Sequence, residues 1–203
     1  MLRCDGPPMF VRSFFSMCFS LLLLCVVSMS MAACAENRVP LVYSAPAENM
    51  LPVFNAPSVC IVTFEDKRPV TTIGQRSNKT EFTTESDVRE WFTQALGTEI
   101  ARMGIVVMRA GSAAEAKKSG ARFVITGSVD EVWITEKYMA AYETRMSSSA
   151  LLKSGKIVKL DQRFSSNMSR RLVGSSVPRD ILSDTVSDLA RTMARAVYDQ
   201  IQK

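Results

Sequence analysis

Carboxylates supply most of the chemistry available to this chain, because its 203 residues include no histidine. That absence removes imidazole acid–base catalysis, Ser-His-Asp and Cys-His nucleophiles, and the commonest ligand of zinc, copper and haem. Two acidic pairs remain as candidates. Glu65-Asp66 stands before Lys67-Arg68 at the end of an apolar run, and Asp130-Glu131 lies within a long alternating segment. From these residue types we expect no metal, no cofactor and no enzyme activity.

Each acidic pair has two interpretations. The first pair lies at a predicted strand end, where the carboxyl edge of a sheet can host a site. Four consecutive charges are more often a solvated turn in which they pair with one another. The second pair, Asp130 and Glu131, points to opposite faces of a regular strand and cannot act together, unless a bulge re-aims one side chain.

The first 34 residues have the organisation of an export signal. Arg3 and Arg12 precede an almost uncharged apolar run, the order of a basic n-region and an apolar h-region. The run ends in Met31-Ala32-Ala33-Cys34, which resembles the lipobox recognised by the bacterial lipoprotein signal peptidase. The alternative is a plain transmembrane anchor, because residues 11–33 are long enough to cross a bilayer of about 30 Å. The small residues before the cysteine favour the lipoprotein signal.

This resemblance implies cleavage between Ala33 and Cys34 and acylation of Cys34. By the same resemblance, the Cys34 thiol carries a diacylglyceryl group and its freed amine carries a third acyl chain. Two membrane-binding groups already suffice for stable anchoring, so three acyl chains hold the protein on the membrane. Ala35, where an Asp would retain an enterobacterial lipoprotein at the inner membrane, favours the outer membrane, with the domain in the periplasm. Cys60 is then the last free thiol of five cysteines, and its apolar surroundings predict a buried, inert side chain.

Three segments are predicted along the chain. Residues 1–33 form the signal peptide, and residues 58–203 form one domain of ordinary size. Between them, residues 34–57 contain Pro40, Pro46, Pro52 and Pro57 without a helical or alternating period. Proline-rich segments of this kind extend, so residues 34–57 are predicted to be a tether.

The domain is predicted to have the element order β-α-β-α-β-β-β-α. Apolar residues recur at helical or alternating spacing in each element. The last three strands predict an antiparallel meander, and the alternation slips near Asp130, which predicts a bulge. One mixed sheet with the helices on one face gives an α+β fold, a two-layer sandwich. The predicted strands are 59–64, 105–108, 123–134, 138–150 and 157–168, and the helices are 88–103, 113–119 and 181–201.

The complete pattern resembles the YajG-like group of bacterial lipoproteins. The resemblance rests on the lipobox, the tether, the strand that ends in charges, the helix that ends at Gly104, and Val124-Ile125-Thr126-Gly127-Ser128-Val129. The chain is also similar to PqiC-like auxiliary lipoproteins of ABC-type lipid-transport systems and to the amino-terminal domain of TolB. The resemblance implies a periplasmic domain held at a membrane, acting in envelope maintenance or transport, and it brings no catalytic residues.

Charge is distributed unevenly along the chain. Residues 34–136 hold 11 Lys and Arg against 13 Asp and Glu, whereas residues 137–203 hold 12 against 6. The excess predicts a basic surface that contacts anionic lipid headgroups or an acidic protein partner, or, alternatively, a strand edge protected from pairing. The net charge of +5 is too small for a nucleic-acid-binding protein. The predicted contact residues are Lys153, Lys156, Lys159, Arg163, Arg170 and Arg171, with Trp133, Tyr138 and Tyr142.

Three functions follow from these patterns. The first is a non-enzymatic outer-membrane lipoprotein that binds a protein partner, and the second is an auxiliary of a lipid transporter. The third is a membrane-anchored enzyme that uses carboxylates alone. A flat aromatic patch would favour the first, an apolar groove between helix and sheet the second, and a carboxylate-lined pocket the third.

Overall fold

A computed structural model describes residues 37–45, 56–171, 174 and 176–203. Its compact unit extends from Val39 to Lys203. The predicted signal segment 1–33, the predicted acylation site Cys34 and residues 46–55 of the predicted tether lie outside the described residues. In the part of the chain that is described, no helix is long and apolar enough to span a bilayer.

The longer elements follow the predicted order, and three two-residue strands lie between the predicted strand 59–64 and the predicted helix 88–103. A 3-10 turn, Tyr138–Ala140, joins the strand that ends at Lys137 to the strand that begins at Ala141. The strands are β1 Ser58–Val62, β2 Glu65–Asp66, β3 Gly74–Gln75, β4 Glu81–Phe82, β5 Val106–Ala110, β6 Phe123–Lys137, β7 Ala141–Ser154 and β8 Ile157–Arg171, and the helices are α1 Val88–Ala101, α2 Ala113–Lys118 and α3 Val177–Ile201.

Strand β6 is the centre of one mixed sheet. Along one edge it pairs in parallel with β1, β2 and β3 in turn, and along its other edge it pairs antiparallel with β7. The sheet extends to β5 beyond β1, to β4 beyond β3, and to β8 beyond β7. A mixed sheet with an antiparallel meander and helices packed on it confirms the α+β class.

The main core lies between the sheet and the helices α1 and α3. Ile61 of β1, Phe92 of α1, Ile125 of β6 and Val186 of α3 are all fully buried in it. Alternate residues of a strand point to opposite faces, so Cys60 and Val62 of β1 face away from this core and need a second cover, another element packed on the opposite face of the sheet. Asp87 caps helix α1, because its carboxylate accepts hydrogen bonds from two first-turn amides.

Helix α2 provides that second cover on the opposite face. Its Ala116 packs in a small cluster with Cys60 and Val62 of β1 and Ala110 of β5. The helices therefore do not all lie on one face, which differs from the predicted two-layer arrangement. The physical reason is that β1 is apolar on both faces, so each face requires a helix.

The segment 39–43, which we call the N-terminal strap, packs onto the domain. Val39 and Leu41 are buried in the main core. Their amides donate to the Thr83 carbonyl at 2.9 Å and to Ser86 Oγ at 3.1 Å. The predicted tether of residues 34–57 therefore differs from the structure over the strap, and the compact unit begins at residue 39 rather than at residue 58.

Candidate functional site

The β7–β8 hairpin ends in a tip, residues 153–159, that combines cations with exposed apolar side chains. The chain turns at Gly155, whose φ of +59° suits glycine. Ile157 is 64% exposed and Val158 is 52% exposed. Lys153, Lys156 and Lys159 surround this pair, and within the described residues none of the three lysines has an ion-pair partner.

The other three predicted cations are elsewhere. Arg163 lies in mid-strand and donates to Ser147 Oγ at 3.0 Å. Arg170 pairs with Asp184 of α3 at 2.5 Å, and Arg171 is the last residue of β8. Because a strand rises about 3.3 Å per residue, the two ends of β8 are about 45 Å apart. The six predicted cations therefore do not form one patch, and the lysines of the tip form a separate group.

The three predicted aromatic residues do not share a surface. Trp133 is paired with Arg145 on the neighbouring strand and points to the face of the sheet away from α1 and α3. Tyr142 is paired with Glu136 and is buried on the face that α1 and α3 cover. Tyr138 is 83% exposed in the turn between β6 and β7. The structure thus offers no flat aromatic patch built from these residues.

A cavity of about 920 Å³ opens at the carboxyl ends of β1 and β5. Its lining comes from the β1–β2 connection and β2, from the amino ends of α1 and α2, and from the middle of β6, β7 and β8. The charged run from Glu65 to Arg68 forms one wall. The run thus lies beside a cavity, as the first interpretation requires, and its charges also pair with one another, Lys67 with Glu65 and Arg68 with Asp66, as the second interpretation predicts.

Two matching Asp–Arg pairs line this cavity. Arg68 donates from Nε and Nη2 to the Asp66 carboxylate at 2.9 and 2.8 Å. Arg89 donates to the Asp87 carboxylate from the same two atoms, at 3.1 and 2.7 Å. We call these pairs the Asp66 fork and the Asp87 fork. The Asp87 fork was not predicted, although the repeated Asp-x-Arg spacing in 66–68 and 87–89 is a sequence signal for it.

The forks hold both carboxylates ionised. The Arg68 hydrogen bonds lower the pKa of Asp66 below its ordinary value. Hydrogen bonds from the Arg89 side chain, together with backbone amides, lower the pKa of Asp87 to about 2. A general acid or base works best with a pKa near the operating pH. The carboxylates of the forks are therefore suited to holding charge and geometry rather than to transferring protons.

The second acidic pair lies at the predicted bulge, which is confirmed between Val129 and Glu131. The extra residue, Asp130, accepts hydrogen bonds from Ser128 Oγ at 2.7 Å and Ser149 Oγ at 2.6 Å. Glu131 lies 3.9 Å from Arg145. Each carboxylate has its own partners, so the two do not form a shared acid–base site. Among the described residues, no three acidic or cysteine side chains cluster so as to hold a metal ion.

Comparison with known proteins identifies the fold but no family. No family model matches the chain, and no curated protein matches it significantly. The fold is similar to that of protein XCC0632 from Xanthomonas campestris, of family DUF330, with a TM-score of 0.54 and 7% identity over 82% of this chain and 99% of that chain.

Two further matches have TM-scores below 0.5. Lipoprotein GNA1162 from Neisseria meningitidis matches 66% of this chain and 98% of its own, at 15% identity and a TM-score of 0.39. PelC from Paraburkholderia phytofirmans, a dodecamer, matches 71% of this chain and 93% of its own, at 14% identity and a TM-score of 0.44. At such identities the similarity concerns the fold alone.

Proposed function

We propose that this protein is an envelope lipoprotein, acylated at Cys34, whose domain is a non-enzymatic binding module that contacts a protein partner through the hairpin tip. The observation that carries the proposal is the exposed apolar pair Ile157 and Val158, surrounded by lysines without ion-pair partners in the described chain. Exposed apolar side chains with a charged rim are typical of protein interaction surfaces. The complementary partner surface is an apolar patch bordered by carboxylates.

The strap supports attachment at one end of the sheet. Four residues separate Cys34 from the buried Val39, and the five Cα-to-Cα steps of an extended chain between them span at most about 17 Å. An acylated Cys34 would thus hold the domain against the lipid surface rather than tens of ångströms away from it. The anchor is proposed to lie in the outer membrane because Ala35 follows the cysteine.

The position of the tip supports a protein rather than the anchoring membrane as its partner. Val39 is bonded to Thr83 beside β4, and β4 joins β6 through β3 at Ile134. The tip meets β6 at Val124. Val124 and Ile134 are ten positions apart on β6, which corresponds to about 30 Å along the sheet. The tip therefore lies at the end of the domain away from the strap entry.

In-cell photocrosslinking tests the partner surface. A photoreactive amino acid at position 157 should give a discrete protein adduct, whereas the same amino acid at position 70 should not, because Val70 is similarly exposed at 48% but lies outside the tip. The double substitution Lys153→Glu and Lys156→Glu should abolish the adduct. Equal adducts at positions 157 and 70, or no adduct at either, would contradict the proposal.

The identity of the adduct separates the first two functions. Recovery of an outer-membrane or cell-wall component would support envelope maintenance. Recovery of an ABC permease or its substrate-binding component would instead assign the auxiliary role in lipid transport.

Acylation has an independent test. Cys34→Ala should abolish incorporation of radiolabelled palmitate and release the protein from the membrane fraction. Cys25→Ala is the matched control, because Leu22-Leu23-Leu24 before it lacks the small residues of a lipobox. Unchanged labelling of the Cys34→Ala protein would contradict the proposed anchor.

A further inference from the structure

The cavity at the carboxyl ends of β1 and β5 contains a buried cation whose hydrogen-bonding capacity is only partly used. The Arg68 side chain, which lines this cavity, is 7% exposed. Its Nε and Nη2 atoms donate to Asp66, whereas its buried Nη1 has no acceptor in the described parts of the chain. Buried polar groups in folded proteins are nearly always hydrogen-bonded, so the free edge of Arg68 needs an explanation.

A second positive feature faces the same space. The amino end of α1, a helix of 14 residues, lines the cavity together with Arg89. The amides of Arg89 and Glu90 already donate to the Asp87 carboxylate, so the helix contributes only the remaining attraction of its dipole for an anion. The charge of Arg89 also acts on Asp66 across the cavity wall, where it contributes to the lowered pKa of that carboxyl. The two forks are therefore within electrostatic reach of each other.

We propose that this cavity binds an oxyanion group, a carboxylate or a phosphate monoester, on the free edge of Arg68 beside Arg89 and the amino end of α1. Planar guanidinium groups bind both oxyanions through paired N–H donors. The inference goes beyond the proposed function, because the cavity is distinct from the hairpin tip and ligand binding there does not depend on acylation.

The remaining charges of the cavity decide how strongly an anion is held. The Asp66 and Asp87 carboxylates are offset by their own arginines, and Glu65 lies 3.4 Å from Lys67. Asp161 also lines the cavity, from β8, and has no partner among the residues described. This carboxylate opposes an anion, so its removal should strengthen binding.

Calorimetric titration of the full chain in detergent tests the proposal. Inorganic phosphate and acetate are titrated separately at constant ionic strength, with glycerol as an uncharged probe. We expect one of the two anions to bind with a dissociation constant of about 1 mM, the weak range for a single small group. Tighter binding of phosphate would assign a phosphoryl-bearing ligand, and tighter binding of acetate a carboxylate.

Three variants locate the bound anion. Arg68→Gln should weaken binding about tenfold, because a charge-assisted hydrogen-bonded pair is lost. Asp161→Asn should tighten it about threefold, through removal of one like charge in a partly screened site, and this variant remains informative if the Arg68 variant does not fold. Arg179→Gln is the matched control, since Arg179 pairs with Asp180 outside the cavity, and it should leave binding unchanged.

Two results would overturn the inference. One is the absence of binding by phosphate and acetate to both the wild type and the Asp161→Asn protein at concentrations up to about 50 mM, far above the weak range expected for a single group. The other is binding that is equal in the Arg68→Gln and Arg179→Gln proteins, which would place the anion on the general surface. Neither result bears on the hairpin tip, so the proposed function is judged separately.

Discussion

Asp87 has two roles that a single substitution can separate. Its carboxylate caps α1 by accepting from the Arg89 and Glu90 amides, and it also forms a fork with the Arg89 side chain. Asparagine preserves a good helix cap but removes the charge that the fork holds. The contrast between Asp and Asn at this position therefore isolates the ion pair from the cap.

The Asp87 fork predicts a loss of stability in acid. The pKa of Asp87 is about 2 in the folded protein and 3.8 ordinarily. The ionised carboxylate therefore stabilises the folded protein above pH 4, and this stabilisation is lost as the pH falls towards 2. Asp87→Asn should therefore show a smaller fall in melting temperature than the wild type between pH 4 and pH 2. The side chain is 44% exposed, so solvent screening limits the effect to about 1 kcal/mol or less.

A double-mutant cycle with Arg89→Gln controls this measurement. The two substitutions remove the same pair, so the double variant should lose no more acid sensitivity than Asp87→Asn alone. An Asp87→Asn protein with the full wild-type pH dependence would show that the fork contributes nothing in solution.

Substitution by alanine should have opposite effects on stability at Gly127 and at Gly97. A Cβ at Gly127 would lie 2.2 Å from the Ser149 carbonyl oxygen and 2.4 Å from Phe64 Cε1, whereas a Cβ at Gly97 would meet Ile61 and Val107 at ordinary contact distances of 3.6 and 3.7 Å. Gly127→Ala should destabilise the domain by about 1–3 kcal/mol through overpacking. Gly97→Ala should stabilise α1 by up to about 1 kcal/mol, because alanine favours helix.

Chemical unfolding of the two variants measures both effects against one wild type. Equal midpoints for Gly127→Ala and the wild type would mean that β6 and β7 shift apart at no cost, which contradicts the close approach of Phe64 to the sheet. That approach matters for the cavity, because Phe64 and Gly127 both line it.

At the scale of elements, a buried carboxylate adds to the backbone hydrogen bonds and apolar contacts that hold the strap. Glu99 of α1 has a side chain only 3% exposed, with Arg102 at 2.9 Å and Arg191 of α3 at 3.9 Å. Tyr43 of the strap donates to it at 2.7 Å. Burial and this hydrogen bond raise the pKa of Tyr43, so the phenol remains a protonated donor at neutral pH. One hydroxyl thus joins the strap to the pair of helices.

Removal of that hydroxyl should loosen the strap more than the sheet. Tyr43→Phe leaves Glu99 paired with Arg102 but removes a hydrogen bond to a charged group, worth about 1.5–3 kcal/mol. Amide hydrogen exchange should therefore accelerate at Val39 and Leu41 and remain unchanged at Ile125 in β6. Tyr138→Phe is the control, since the Tyr138 side chain is exposed and lies outside the strap. Uniform acceleration at all sites would mean that the strap has no independent opening.

The elements that sequence predicts well here are those governed by local periodicity. Apolar spacing placed α1 at residues 88–103, against Val88–Ala101 in the structure, and the slip in alternation placed the bulge at Asp130. The strap was missed because Val39 and Leu41 flank a proline and are buried only by tertiary contacts. The face occupied by α2 was missed because a helix of six residues carries too short a pattern to show which side of a sheet it covers.

The candidate site was likewise predicted only in part. The run Glu65–Arg68 was recognised as a candidate because its charges are consecutive. The Asp87 fork is distant from this run in the sequence, and only the folded chain brings both to one cavity. The basic hairpin was recognised by composition, yet composition cannot distinguish Lys156 at the tip from Arg171 at the opposite end of β8. The exposed Ile157 was taken as an ordinary strand residue, because exposure at a hairpin tip depends on how far the hairpin projects.

At the scale of the whole molecule, the strap and the hairpin define two ends of one long sheet. The exposed Tyr138 and Arg171 lie at the end where β6 meets β7, and the hairpin tip lies at the other. Tyrosine and arginine side chains suit a membrane–water interface, where an aromatic body and a polar group are both accommodated. If Cys34 is acylated, the short link to Val39 should place the Tyr138 end nearer the lipid.

Fluorophores attached at Tyr138→Cys and Ile157→Cys in the acylated protein test this orientation in vesicles that contain quencher lipids. Cys60 is buried and should not label. We expect strong quenching at position 138 and little at position 157, because β7 between them spans about 45 Å. A flexible Gly-Ser insertion of about ten residues after Glu36 should reduce quenching at 138, since a flexible linker lets the domain move away from the surface. Equal quenching at both positions would mean that the sheet lies flat on the membrane, and the hairpin tip would then face lipid rather than a protein partner.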